Sequence, residues 1–462
     1  MLPAPRAGAV DAAPDEPSGL TVVGPPLTAL PSKISDPRWL MAWVLKPSRL
    51  RPRTLMPDFD PSLEEAQAMV AYLYGHEPAR QGTVKWEGGD AAAGEKLFVS
   101  RGCRGCHSVS AEEPSVSPRV PNLAGVGLKA RGDWLFNWIK SPRAYNPHTP
   151  MPQLALSDDD IRHLVAYLLS CRAGSELIAA APAPDPKVSA AAGRAVIERY
   201  ECPSCHAVSG FPPPAPVEVH ASASDTQATL AAGRLLVTYY NCRGCHRIEG
   251  KGGAIGAYLE RKTLAPPTLD GEGARVQPSW LTAFLRQPAT LRPWLQIRMP
   301  NFGLSDSEVT LLTHYFAAVS SVPTTDEAAE PVADEVMQRG LRRIAHFKCA
   351  QCHPLGTHLP ADIDAENLSI NLMQAKSRLR PSWIRKFLAQ PKSLVGTQTR
   401  MPDIFYTIDG IPKVEHPDTD IDAIAAYLLH TTQPLDAALA ALDEDRKAAE
   451  EKQQVDWSSV QY

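Results

Sequence analysis

Four segments of the chain read Cys-x-x-Cys-His: Cys103–His107, Cys202–His206, Cys242–His246 and Cys349–His353. Covalent attachment of a c-type haem requires this spacing. The two thiols join the two vinyl groups of one porphyrin, and the next residue offers an imidazole nitrogen to the iron. Eight of the nine cysteines are used in this way: Cys103, Cys106, Cys202, Cys205, Cys242, Cys245, Cys349 and Cys352. His107, His206, His246 and His353 become the first axial ligands, and the expected cofactor content is four covalently bound haem c groups. Zinc is the competing reading. A zinc ribbon pairs two knuckles at close range, whereas these lie far apart along the chain and each is followed by His. Electron carriage by iron is the expected chemistry, so the chain is read as a carrier and not as an enzyme.

The elements that must hold these motifs recur as two half-repeats. In the first half, Gly94, Gly193, Gly233 and Gly340 each stand nine residues before the first cysteine of a motif. Phe98, Ile197, Val237 and Ile344 follow four residues after each glycine, on the same helical face. A small residue beside an apolar one lets a second helix approach closely. In the second half, Trp39, Trp134, Trp280 and Trp383 each precede a proline by eight residues, which implies a short helix stopped by Pro47, Pro142, Pro288 or Pro391. Met56, Met151, Met299 and Met401 come next, each followed by proline, and then an amphipathic helix carrying Tyr72, Tyr167, Tyr315 or Tyr427. The Met-to-Tyr spacing is sixteen in three copies and twenty-six in the fourth, where an insertion around 409–417 reads as a longer surface loop.

This pattern resembles the class I c-type cytochromes, in which a helix leads into Cys-x-x-Cys-His and a later Met-Pro loop supplies the second axial ligand. The resemblance implies an all-α fold of tandem cytochrome c domains with His and Met on opposite sides of each iron. It assigns Met151 to the haem of His107, Met299 to that of His246 and Met401 to that of His353. It also implies a segment that orients the histidine ring, for which Pro121-Asn122-Leu123, Pro267-Thr268-Leu269 and Pro25-Pro26-Leu27 are candidates. The fourth copy departs, offering Glu366-Asn367-Leu368.

One second half, 25–76, has no motif before it, and one first half, 188–212, has no Met after it. They are expected to form one split, permuted domain in which Met56 ligates the haem held by Cys202, Cys205 and His206. The pairing is either within the chain or between protomers, which would allow oligomerisation through the split domain; His220 is the other candidate ligand. His148 competes with Met151. Complete domains are expected at 84–172, 230–320 and 333–432. A flexible arm (1–24), an extended connector around 178–187, a linker (213–229) and a solvated C-terminal tail (433–462) account for the rest.

A net charge of -4 on 47 basic and 51 acidic residues argues against a nucleic-acid partner. No apolar run is long enough to span a bilayer. Haem attachment of this kind takes place outside the cytoplasm, so a periplasmic or extracytoplasmic location is expected although no signal peptide is visible. The expected partners are a protein electron donor and acceptor, and the resemblance to multidomain cytochromes implies a respiratory or photosynthetic membrane complex as the setting. Two rival readings remain: a peroxidase or small-molecule dehydrogenase with an open haem at Cys202, and a structural cytochrome polymer built by domain swapping.

Overall fold

The computed structural model describes residues 24–447 apart from 53, 76–83, 114–119, 148, 213, 215–224, 260, 262–263, 293–294, 296, 355–367, 397–398, 433–435 and 445–446. His148, His220, Glu366 and Asn367 therefore lie outside the described residues. The fold is all-α, with a single two-residue hairpin (Arg247–Ile248 with Lys251–Gly252) among the described residues.

Each first-half helix crosses the last helix of a second half at its glycine. Gly94 of Ala91–Ser100 lies on His163 and Tyr167 of Asp158–Ser170, and Gly233 of Thr226–Tyr239 lies on Tyr315 of Asp306–Val319. Gly340 of Asp334–His346 meets Ala423 and Tyr427 of Pro417–His430. A Cβ at any of these glycines would overlap the facing helix, so the crossing depends on its absence. The orphan halves behave in the same way. Gly193 of Ala190–Arg199 lies against Ala68 and Tyr72 of Leu63–Gly75 in the same chain. Ile197 and Val208 share one core with Trp39, Met41, Met69 and Tyr72, and the Tyr72 hydroxyl donates to the Ser209 carbonyl at 2.7 Å.

The tryptophan helices Pro37–Leu45, Gly132–Lys140, Pro278–Arg286 and Pro381–Ala389 end just before their prolines, as expected where the residue preceding Pro is pushed out of helical geometry. They are started by Pro at the first turn in three cases. Capping boxes at Ser157/Asp160 and Ser305/Glu308 open two of the last helices.

The domains join by a repeated contact. Ile34 bridges Ala130 antiparallel, with Ser35 N–H to Lys129 O (2.8 Å) and Arg131 N–H to Lys33 O (2.9 Å). Val276 bridges Leu379 in the same manner, with Gln277 N–H to Arg378 O (2.9 Å) and Arg380 N–H to Arg275 O (3.0 Å). A third bridge, Gln153 to Asn301, ties the two inner domains through the loops that follow Met151 and Met299.

Several expectations for the connectors are corrected. The segment around 178–187 packs: Ser175–Ala179 is helical, Ile178 is buried, and the Gln67 amide holds both Ala183 O and Asp185 N. An apolar Ile inside an Ala/Pro-rich run found a core that composition does not reveal. Gly24 is no part of a free arm, since its N–H donates to Cys205 O and a Cβ on it would overlap the His206 ring. Residues 436–444 are helical and not solvated on all sides, because Ala438, Leu439 and Leu442 pack on the last domain's core. The fourth insertion, by contrast, lies at the surface as expected, with residues 408–413 exposed on a turn in which Tyr406 bridges Pro412 around Gly410.

Candidate haem centres

In each motif the backbone N–H of the histidine bonds to the carbonyl of the first cysteine, at 2.9 Å for His107, 3.0 Å for His206, 2.9 Å for His246 and 3.1 Å for His353. This tight turn brings both thiols and the ring to one place. Each ring is then oriented through Nδ1 by a backbone carbonyl: His107 by Pro121 (2.9 Å), His206 by Pro25 (2.8 Å), His246 by Pro267 (2.8 Å) and His353 by Ile370 (2.7 Å). With Nδ1 donating, Nε2 keeps its lone pair for a metal. Burial pulls all four imidazoles below their usual pKa, which favours the neutral ligand form.

The orienting segment of the fourth centre differs from the one expected. Ile370-Asn371-Leu372 fills it: Ile370 holds the ring, Asn371 accepts from Met373 N–H as Asn122 does from Ala124 N–H, and Leu372 N–H bonds Pro354 O as Leu123 N–H bonds Ser108 O. A carbonyl is all the ring needs, so proline can be replaced. The Asn-Leu pair after Ile370 was the available signal.

Two of the four methionines accept a hydrogen bond from an indole. Trp43 Nε1 donates to Met56 Sδ at 2.9 Å, and Trp138 Nε1 donates to Met151 Sδ at 2.8 Å. The indoles stack on the frame tryptophans, Trp39–Trp43 at 5.3 Å and Trp134–Trp138 at 5.1 Å. Phe284 and Phe387 take the same stacked place on Trp280 (4.8 Å) and Trp383 (4.6 Å), and they bring no donor to Met299 or Met401. Met299 and Met401 lie at the edge of their domains' cores.

The repeated domain contact carries cations that motif reading missed. Lys33 Nζ lies 4.6 Å from the ring centre of Trp134 in the neighbouring domain, and Lys129 Nζ lies 4.1 Å from that of Trp39. In the other pair Arg378 covers Trp280 at 4.9 Å. Burial pushes Lys33 down to about 8 and Arg378 down to about 10, with Arg275 and Arg292 adding to the effect on Arg378. Nε of Arg275 and of Arg378 is buried without a hydrogen-bond partner. Arg275 is ion-paired with Glu272, whereas Lys33 and Arg378 have no ion pair among the described residues; a buried cation of that kind is costly, and the carboxylates of a haem are anions that could offset it. The thiols fit the same group. All nine cysteines are free, and burial pushes Cys103, Cys242 and Cys245 up to about 12. Two knuckles, Cys103–Cys106 and Cys242–Cys245, do meet in space, against the separation expected from sequence. Among the described residues no cluster of three or more His, Cys, Asp or Glu could hold a metal ion.

Two further residues have local roles. Cys171 is half-buried, with its thiol 3.5 Å from Tyr167 O. Lys46 is tied to Asp58 (3.2 Å) and Asp60 (2.9 Å) in the Met56 loop.

The cytochrome c family model matches residues 91–172 and 230–320. No curated protein sequence matches the chain. Among solved structures, the chain is matched to the thiosulfate dehydrogenase (TsdBA) from Marichromatium purpuratum in its as-isolated form, at 17% identity over 87% of this chain and 82% of that one, with a TM-score of 0.17. The expectation of a carrier that is not an enzyme is overturned by that match, which is to a dehydrogenase; a TM-score of 0.17 keeps it from assigning this chain an activity of its own. No helix among the described residues is long and apolar enough to cross a membrane. Cytochrome c domains indicate covalently bound haem c and haem-based electron transfer. With two segments matched to the family model and one site geometry repeated along an all-α chain, residues 91–172 and 230–320 are cytochrome c domains, and the other two units repeat their elements.

Proposed function

We propose that the chain binds four haem c groups and passes single electrons along them between protein partners outside the cytoplasm, at the periphery of a membrane redox complex. The observation that carries this reading is the fourfold repetition of one geometry, a motif histidine held through Nδ1 by a carbonyl and a Met-Pro loop in the same domain. The axial pairs are His107/Met151, His206/Met56, His246/Met299 and His353/Met401. The haem supplies the one-electron chemistry; the chain sets the ligands, spacing and counter-charge. A thioether is a soft ligand that favours reduced iron, so potentials above those of bis-His sites are expected. Met56 reaches its haem within the chain, since both halves of the split domain pack together.

Electron transfer along haems serves a relay and a dehydrogenase alike. Mass spectrometry of the purified protein tests the core of the reading: four added haem masses are expected, and tightly bound zinc without haem would refute it. Reduction of the haems by thiosulfate then separates the two roles. Rapid reduction identifies a dehydrogenase of small sulfur compounds, and none identifies a relay fed by a protein donor.

A further inference from the structure

The two inner motifs touch. Gly105 and Gly244, each the residue before the second cysteine of its motif, are buried against one another. A Cβ on Gly244 would collide with the Gly105 carbonyl, and one on Gly105 would stand 2.9 Å from Cys245 Sγ. Neither glycine has a positive φ, so nothing in the local turn demands glycine; the close approach does. Asn241 Nδ2 donates to Cys106 Sγ at 3.3 Å across the contact, and Arg104 lies over Tyr258 at 4.2 Å. The bridge between Gln153 and Asn301 pairs the methionine loops of the same two domains. Both rims of each site, the thiol turn and the sulfur loop, therefore meet their counterparts.

The outer motifs are built differently. They carry Pro203-Ser204 and Ala350-Gln351 where the inner ones carry Arg-Gly, and their second cysteines, Cys205 and Cys352, are exposed. Arg-Gly is thus confined to the two motifs that meet.

From this geometry we infer that the Gly105–Gly244 contact is the point at which electrons cross between the two halves of the molecule, with the thioether edges of the two inner haems face to face. The inference rests on the haem reading above. One ferrous haem becomes ferric as its neighbour becomes ferrous, with no proton or bond exchanged. Gly105 and Gly244 act as positioning residues: they admit the approach and touch no substrate.

Ser204 occupies the matching position of a motif with the same expected chemistry, so a Gly105→Ser/Gly244→Ser variant keeps the attachment signature and burdens only the contact. Electron paramagnetic resonance of the oxidised native chain should show spin coupling between the two inner haems, assigned by marking each in turn with Met151→His and Met299→His. The double serine variant should lose that coupling and equilibrate electrons between the halves severalfold more slowly after flash reduction, with haem mass and Met ligation unchanged. Absence of inner-haem coupling in the native chain overturns the inference even if the variant fails to fold. So does a folded variant with unaltered coupling and rate. Haem mass is read separately, so a failed count sinks the tetrahaem reading while coupling between the inner pair still decides the contact.

Discussion

The imidazole Nδ1 of His206 lies 2.8 Å from the carbonyl oxygen of Pro25, a residue 181 positions earlier in the chain. The same contact spans only 14 positions at His107 and 21 at His246. A ring that is oriented locally in one domain is oriented in another by a segment on the far side of an inserted domain. Gly24 N–H to Cys205 O and Leu27 N–H to Ala207 O (2.9 Å) lace the two segments together.

That lacing joins 25–76 to 188–212 and supports the proposed pairing of Met56 with His206. Replacing Met56 with Ala is expected to abolish one Met-to-iron signal in four and to lower the potential of the haem held by Cys202 and Cys205 alone. Near-infrared magnetic circular dichroism with a redox titration measures both, and an unchanged spectrum would exclude Met56 as a ligand.

Gly193→Val tests the helix crossing of the same domain. The added methyls meet Ala68 O and Tyr72 Cβ, and overpacking of this kind costs about 1–3 kcal/mol. The expected result is a lower thermal midpoint for one domain, with new proteolytic cleavage near 76–83 or 185–189. Equal protection of the variant and the native chain would count against the crossing.

The indole donors to sulfur divide the sites into two kinds. A donor draws electron density from the thioether and leaves it a poorer ligand to ferric iron, so Trp43→Phe and Trp138→Phe should each lower one potential. A hydrogen bond is worth about 1 kcal/mol net, which corresponds to about 40 mV for a one-electron couple and sets the upper bound of the shift. Phe284→Trp, the reciprocal change, should raise the potential of the haem of His246. Shifts in the opposite sense would refute the donor role.

Arg380 is buried and holds three carbonyls, Gly273 (2.9 Å), Val276 (3.2 Å) and Pro323 (2.7 Å), at the seam between the last two domains. Arg380→Ala leaves these acceptors without their charged donor, at a cost of about 3 kcal/mol. Calorimetry should show the last domain unfolding separately and earlier. Arg380→Lys should not restore the native trace, because an ammonium lacks the fork that reaches three carbonyls.

The glycine crossings, tryptophan helices and Met-Pro loops were legible because each recurs at fixed spacing. Tyr72 and Gly193 could be matched as orphans for the same reason. Ile370 was not legible, since its role belongs to a backbone carbonyl that any residue provides. Lys33, Lys129 and Arg378 stand five or six residues before a frame tryptophan, yet each covers the tryptophan of the neighbouring domain, and contacts between domains leave no period along a sequence. Ala438 escaped notice because small residues among many charges hide the narrow face that reaches the core.

The order of the split domain's pieces imposes an order on biogenesis. The sulfur loop at Met56 is synthesised first, the inserted domain next, and the turn at Cys202 last, so the nascent chain carries an unmatched half until residues 188–212 emerge. Under the proposed tetrahaem reading, haem attachment at Cys202 would act as a latch that closes around a domain already made. A chain that stops short of residue 188 would retain a complete inner domain flanked by an open hydrophobic face, lined by Met69 and Tyr72, which quality control would meet as a misfolded surface.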